Sequence, residues 1–186
     1  MLSLLAPLFC LSAAAADPEP YDTAVLVNPI GPVTAVVANA LGIPAFDANL
    51  KLHHMPRDGV GFTVQTDLTN VVVEDLHVVH SAVRFGPRFS LRKRGLADWT
   101  LTPYAVVGYT GASAAHTHLV RYGVVGAGLD AGRTWVWKRF TMELGLGVLG
   151  TAAFAVATPT EVLADRAVPS LLPVQPHLNW SLGYAF

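Results

Sequence analysis

The sequence predicts an all-β fold: a single antiparallel, up-and-down transmembrane β-barrel of about eight strands at residues 17–186, preceded by a signal peptide at residues 1–16. Three observations predict it. Apolar residues alternate with small or polar ones at a period of two over most of the chain from Ala45 onward. Charged residues are only 13% of the chain, whereas hydrophobic ones are 52% and the mean hydropathy is +0.44. Soluble domains carry about a quarter charged residues, so this chain has too few charges to coat a water-facing globule of its size. The first segment, finally, is built like an export leader.

In that leader an apolar stretch from Leu2 to Leu11 precedes Ser12 and a run of alanines ending at Ala16, then Asp17-Pro18-Glu19-Pro20. Small residues before Ala16 predict cleavage after it, although no Lys or Arg precedes the apolar core. The single cysteine, Cys10, lies inside the leader behind Phe9, where a lipid-attachment signal needs a small residue. The mature chain then has no thiol, which excludes disulfides and cysteine metal ligands. Ala24 to Ile43 is long enough to span a bilayer and carries no charge. Pro29, Gly31 and Pro32 near its middle argue against a spanning helix. The net charge of −1 gives no electrostatic case for nucleic acid.

The strands follow in order. Residues 22–30 form the first, and 31–43 are open to loop, strand or short helix. The second is 45–54. In 60–72, Val60, Phe62, Val64 and Leu68 alternate with Gly61, Thr63, Gln65 and Asp67. In 79–92, Val83, Phe85, Pro87, Phe89 and Leu91 alternate with Ala82, Arg84, Gly86, Arg88, Ser90 and Arg92. Strands at 99–112 and 119–137 lead to 139–155, where Phe140, Met142, Leu144, Leu146 and Val148 oppose Thr141, Glu143, Gly145 and Gly147. The last is 175–186. Short charged links at Met55–Gly59, Lys93–Asp98 and Lys138–Arg139 alternate with longer ones at Asn70–Val79, Gly111–His118 and Thr158–Val174. That is the turn-and-loop rhythm of a membrane barrel.

Alternation does not by itself choose between lipid and water, because soluble barrels alternate too. With the apolar face inward, the outer face would be Gly, Ser, Thr and Ala, a poor soluble surface. With it outward, small and polar residues fill a narrow lumen, and lipid covers the rest. Trp99, Tyr109, Trp135, Trp137, Phe140, Trp180, Tyr184 and Phe186 lie on the apolar faces, many of them near strand ends, as interfacial girdles do.

The ending Leu178-Asn-Trp180-Ser-Leu182-Gly-Tyr184-Ala-Phe186 resembles the C-terminal signal that the barrel-assembly machinery reads in outer-membrane proteins. Its features are a terminal Phe, an aromatic two residues earlier and apolar residues at alternate positions before that. With the leader and the alternating segments, the chain resembles the small, eight-stranded bacterial outer-membrane β-barrel superfamily. The resemblance implies an integral protein of the Gram-negative outer membrane, with outer-membrane lipid and that machinery as partners. Residues 132–147 are similar to the penultimate hairpin of small barrels, which implies no activity.

Taking the apolar face as outward, Asp47, Lys51, Asp67, Arg84, Arg88, Arg92, Asp130 and Glu143 point inward. A barrel of eight strands has room only for side chains, and unpaired charges there are costly. The expectation is an ion-pair network with Arg84 and Arg88 near its centre and Asp67, Asp130 and Glu143 as partners, a polar plug in place of an ion path. Small outer-membrane barrels include lipid A deacylases and acylating enzymes, which need Ser, His and a carboxylate within hydrogen-bond reach. His177 and Ser181 share a face but stand roughly 13 Å apart along a strand, and the adjacent His80 and Ser81 face opposite ways. The deacylase His-x-Ser spacing is absent from the chain. His116 and His118, with His77 or His80, are weak candidates for Zn or Cu; solvated loop histidines are the alternative. No cofactor is expected. The functional expectation is a non-enzymatic barrel of structural or surface-interaction role, with a lipid A-modifying hydrolase or a soluble periplasmic lipocalin-like carrier as alternatives.

Overall fold

The computed structural model describes residues 21–56, 59–93, 95–114, 117–156 and 174–186, with the backbone alone at 117–120 and 155. The leader with its Ala16 cleavage point and almost all of the Thr158–Val174 link lie outside the described residues. The elements are β1 Thr23–Val27, α1 Ile30–Ala40, β2 Ala45–His54, β3 Val60–Val73, β4 Leu76–Ser90, β5 Trp99–Ala114, β6 Thr117–Trp137, β7 Phe140–Ala155 and β8 Gln175–Ala185. The eight strands are antiparallel, neighbour one another in sequence order, and close into a single up-and-down barrel where β8 pairs with β1.

The alternation reads directly onto the wall. Phe62, Phe85, Leu129, Leu146 and Leu178 are exposed on the outside, Leu146 to 68%. Lys51, Arg88 and Glu143 are buried inside, none more than 3% exposed. This inversion follows from the period of two: one register sends every apolar side chain to one face and every polar one to the other. Glycines on the inner face make room for the largest inner side chains. A Cβ at Gly128 would overlap the Tyr104 hydroxyl, and one at Gly147 would overlap Asp130 and His177.

The structure corrects the bounds of the first strand and of two links, and settles the segment left open. The first strand is five residues, not 22–30, because Asn28-Pro29 ends it: Asn28 Oδ1 accepts the Ile30 amide at 2.9 Å and Pro29 caps a helix. Of the alternatives left open for 31–43, the helix is the outcome. It stops at Leu41, before Gly42 at φ 82°. The links at Asn70–Val79 and Gly111–His118 are not long loops. The strands run on, leaving only Glu74–Asp75 between β3 and β4 and two residues between β5 and β6. The polar residues that read as loop pair across the ladder, His77 Nε2 with Asn70 Oδ1 at 2.8 Å, while the β-branched Val71–Val73 favour strand. The two-residue turn places Glu74 in the left-handed region at φ 52°.

The barrel thus has two unlike ends. One carries the described termini and the links from β2 to β3, β4 to β5 and β6 to β7. The other carries α1 and the β3–β4 and β5–β6 hairpins. Helix α1 packs against β2, and its Gly31 abuts the inward Asp47 carboxylate, so the helix start leans over the lumen.

Candidate functional site

The chemistry of this chain is concentrated in the lumen, which is filled in layers. At the turn end Ala24, Leu26, Met55, Leu96, Val136 and Ala185 form a buried apolar layer. Met55 and Leu96 come from turns that fold in beneath the barrel. Asp98 fixes one of these turns. Its carboxylate accepts the Arg92 and Trp99 amides, each at 2.7 Å, and the Ser90 hydroxyl. Arg92, expected inside, is exposed: β4 ends at Ser90 and the chain has left the barrel wall by residue 92.

Above this layer sits an ionic cluster. Glu143 Oε1 accepts Arg88 Nη1 at 2.9 Å, and Oε2 lies 3.1 Å from Lys51 Nζ and 2.8 Å from His53 Nε2. Arg88 Nη2 donates to Thr134 Oγ1 at 2.7 Å, and Lys51 to Asn179 Oδ1 at 2.9 Å. One carboxylate from β7 therefore satisfies cations from β2 and β4. These partners are far apart in sequence and are brought together only by closure of the barrel. His53 was not singled out in the sequence, although it lies on the same inward face as Lys51, two residues away.

A second tier lies toward the helix end. Arg84 Nε is 3.2 Å from Asp67 Oδ2, and Asp67 also accepts from Asn49 and from Gln65 at 3.1 Å. The Arg84 guanidinium lies over the Tyr104 ring at 5.9 Å. Asp130 pairs not with an arginine but with His177, Nε2 to Oδ1 at 2.9 Å. His177 had been considered only with Ser181. Asp47 stands apart from the cluster, held by Thr69 at 3.4 Å. The space enclosed among these groups is about 10 Å³, room for a single water at most. Among the described residues the lumen is thus filled through its turn-end half, the arrangement of a plug.

The remaining candidates resolve differently. His116 and the side chain of His118 lie outside the described residues, and no group of three or more metal-ligating side chains occurs among those described. His80 bonds Thr110 Oγ1 at 2.8 Å, and Ser81 lies in register with Tyr109. At the turn-end rim, Arg133 stacks over Trp99 and Trp135 at 5.8 and 5.1 Å, and Arg139 over Tyr184 and Tyr21 at 5.7 and 6.0 Å. Hydrogen bonding to Tyr184, with Tyr21 beside it, raises the Arg139 pKa further, so the rim carries fixed positive charge. Of the expected assembly-signal residues, Leu178, Tyr184 and Phe186 are exposed on the outer wall and Trp180 and Leu182 are half-buried there. The Phe186 amide donates to Thr23 O at 2.9 Å across the closing seam. Comparison with protein-family models, with curated proteins and with solved structures finds no significant match to this chain.

Proposed function

We propose that this protein is an integral barrel of the Gram-negative outer membrane, exported by a leader cleaved near Ala16, with a structural or surface-interaction role and no catalytic step. One observation carries the reading. The exposed wall is apolar on strand after strand, including Phe46, Phe62, Phe85, Val107, Leu129, Leu146 and Leu178, while the ion pairs of Glu143 with Lys51 and Arg88 are inside. In water that surface is an extended apolar patch of the kind soluble monomers avoid; in lipid it is a matched face. The Arg133 and Arg139 aromatic stacks suit the headgroup level at the turn-end rim, where such side chains anchor. The alternating C-terminal strand, with outward Leu178, Trp180, Leu182, Tyr184 and Phe186, supports recognition by the barrel-assembly machinery.

The test is fractionation and heat-modifiability of the expressed full-length chain. The expected result is recovery in the outer-membrane fraction, Asp17 as the mature N-terminus, and a gel-mobility shift on boiling. Recovery as a soluble periplasmic protein without a shift would overturn the proposal in favour of a lipocalin-like carrier.

A substitution separates the same two environments. Leu146→Arg on the outer face of β7 is expected to cost roughly 2–4 kcal/mol in a bilayer, where a cation meets hydrocarbon. In water the same exposed position would tolerate arginine within about 0.5 kcal/mol. Urea titration of the chain folded into phospholipid vesicles reads the difference, and a cost near zero counts against a lipid-facing wall.

A further inference from the structure

Among the described residues, the helix-end half of the lumen is not filled. A cavity of about 280 Å³ opens there, lined by Ala82, Val106, Val124, Leu149 and Ala153 with polar groups at its two ends. This volume is near the lower bound for small-molecule sites, roughly 300 Å³. It spans from the level of His80 and Thr110 down to Arg84, about 13 Å along β4. Residues Arg84, Val106, Gly126 and Thr151 are successive partners across β4, β5, β6 and β7, and Gly126 contributes no side chain to the space between Arg84 and Thr151.

Among the described residues Arg84 is the one Lys, Arg, Asp or Glu of the lining; it is paired with Asp67 at 3.2 Å, and its side chain stays 26% exposed. Asp67 and Asp130, the nearest acids, are engaged by Arg84, Asn49 and Gln65 and by His177, and neither lines the cavity. The cavity thus presents a cationic donor at the inner end of a narrow, apolar-walled shaft.

We infer that this half of the lumen binds a single-chain amphiphile with an anionic carboxylate head, the head meeting Arg84 and the chain lying against Val106, Val124, Leu149 and Ala153. The inference rests on the membrane-barrel reading above, and the boiling-dependent gel shift, scored first, separates failure of that reading from failure of this one. Helix α1 leans over the mouth on the β2 side, whereas the cavity is lined from β4 to β8, so the approach to Arg84 lies opposite the helix.

The test is calorimetric titration of the full chain in phosphatidylcholine nanodiscs with sodium octanoate, with protein-free nanodiscs as the background. Saturable one-site binding is expected, with octanol at least tenfold weaker and octylamine without saturable binding. Arg84→Gln is expected to weaken octanoate by roughly tenfold to a hundredfold, the range for losing a charge-assisted hydrogen bond. Because that variant also leaves Asp67 unpaired, Ala153→Trp provides the second arm. It fills the shaft, leaves the Arg84–Asp67 pair intact, and is expected to abolish saturable binding while the boiling-dependent gel shift remains. Equal binding of octanoate and octanol, no saturable binding by the wild type, or unchanged binding by Ala153→Trp would each overturn the inference.

Discussion

Replacing Glu143 with leucine is expected to destabilise the folded barrel by roughly 3–5 kcal/mol, the cost of leaving buried charges without their partner. The carboxylate is 3% exposed and is shared by Arg88, Lys51 and His53, so its removal strands two formal cations in the lumen at once. The companion experiment removes the cations as well. Glu143→Leu combined with Arg88→Leu and Lys51→Met is expected to recover most of the loss, because an apolar replacement of a whole buried ion cluster is often neutral or stabilising. Both are read from urea unfolding of the chain folded in phospholipid vesicles. A single substitution costing less than about 1 kcal/mol would mean that water reaches the cluster and screens it, contrary to the packing of the plug.

Gly183→Ala is expected to damage barrel closure. The β1–β8 seam has four residue pairs, Ala24–Ala185, Val25–Tyr184, Leu26–Gly183 and Val27–Leu182, against ten between β2 and β3. At Gly183 an added Cβ would fall on the Val25 carbonyl oxygen and against the Leu26 backbone. Backbone atoms in a ladder cannot swing aside as a flexible side chain can, so relief requires β8 to move off its shortest partner. A cost of about 3 kcal/mol or more is expected, at the upper end of overpacking effects. The measured signs are loss of the compact unboiled gel band and slower folding into vesicles. Ala152→Val, on the exposed wall, serves as the control and is expected to change stability by less than about 0.5 kcal/mol. If Gly183→Ala folds like the control, the close approach at the seam does not limit closure.

These two residues also show what can be read from a strand sequence. Glu143 is legible as an inward charge because Met142 and Leu144 flank it and the period of two leaves no other face. Its partners are not legible. Lys51, His53 and Arg88 lie on β2 and β4, and which of several inward cations reaches a given acid depends on strand tilt and stagger around the closed wall. For the same reason Asp130, an acid expected beside an arginine, meets His177, and Arg84 takes Asp67. Gly183 reads as one more small inward residue; only the seam geometry makes it intolerant of a side chain.

The sequence alone determined the number and order of the strands, the closed antiparallel class, and which face of each strand is apolar. Those properties follow from local alternation and turn residues. The tertiary structure alone decided that Ile30–Ala40 is a helix leaning over the mouth, that β3, β4, β5 and β6 run on into the links expected at 70–79 and 111–118, and that Arg92 leaves the lumen. It also decided the layering of the interior: an apolar layer that includes Met55 and Leu96, a sealed ionic cluster above it and, among the described residues, an open shaft above Arg84. The physical reason is that a period of two fixes the face of the wall on which a side chain lies. It does not fix the height at which eight staggered strands present that side chain to one another.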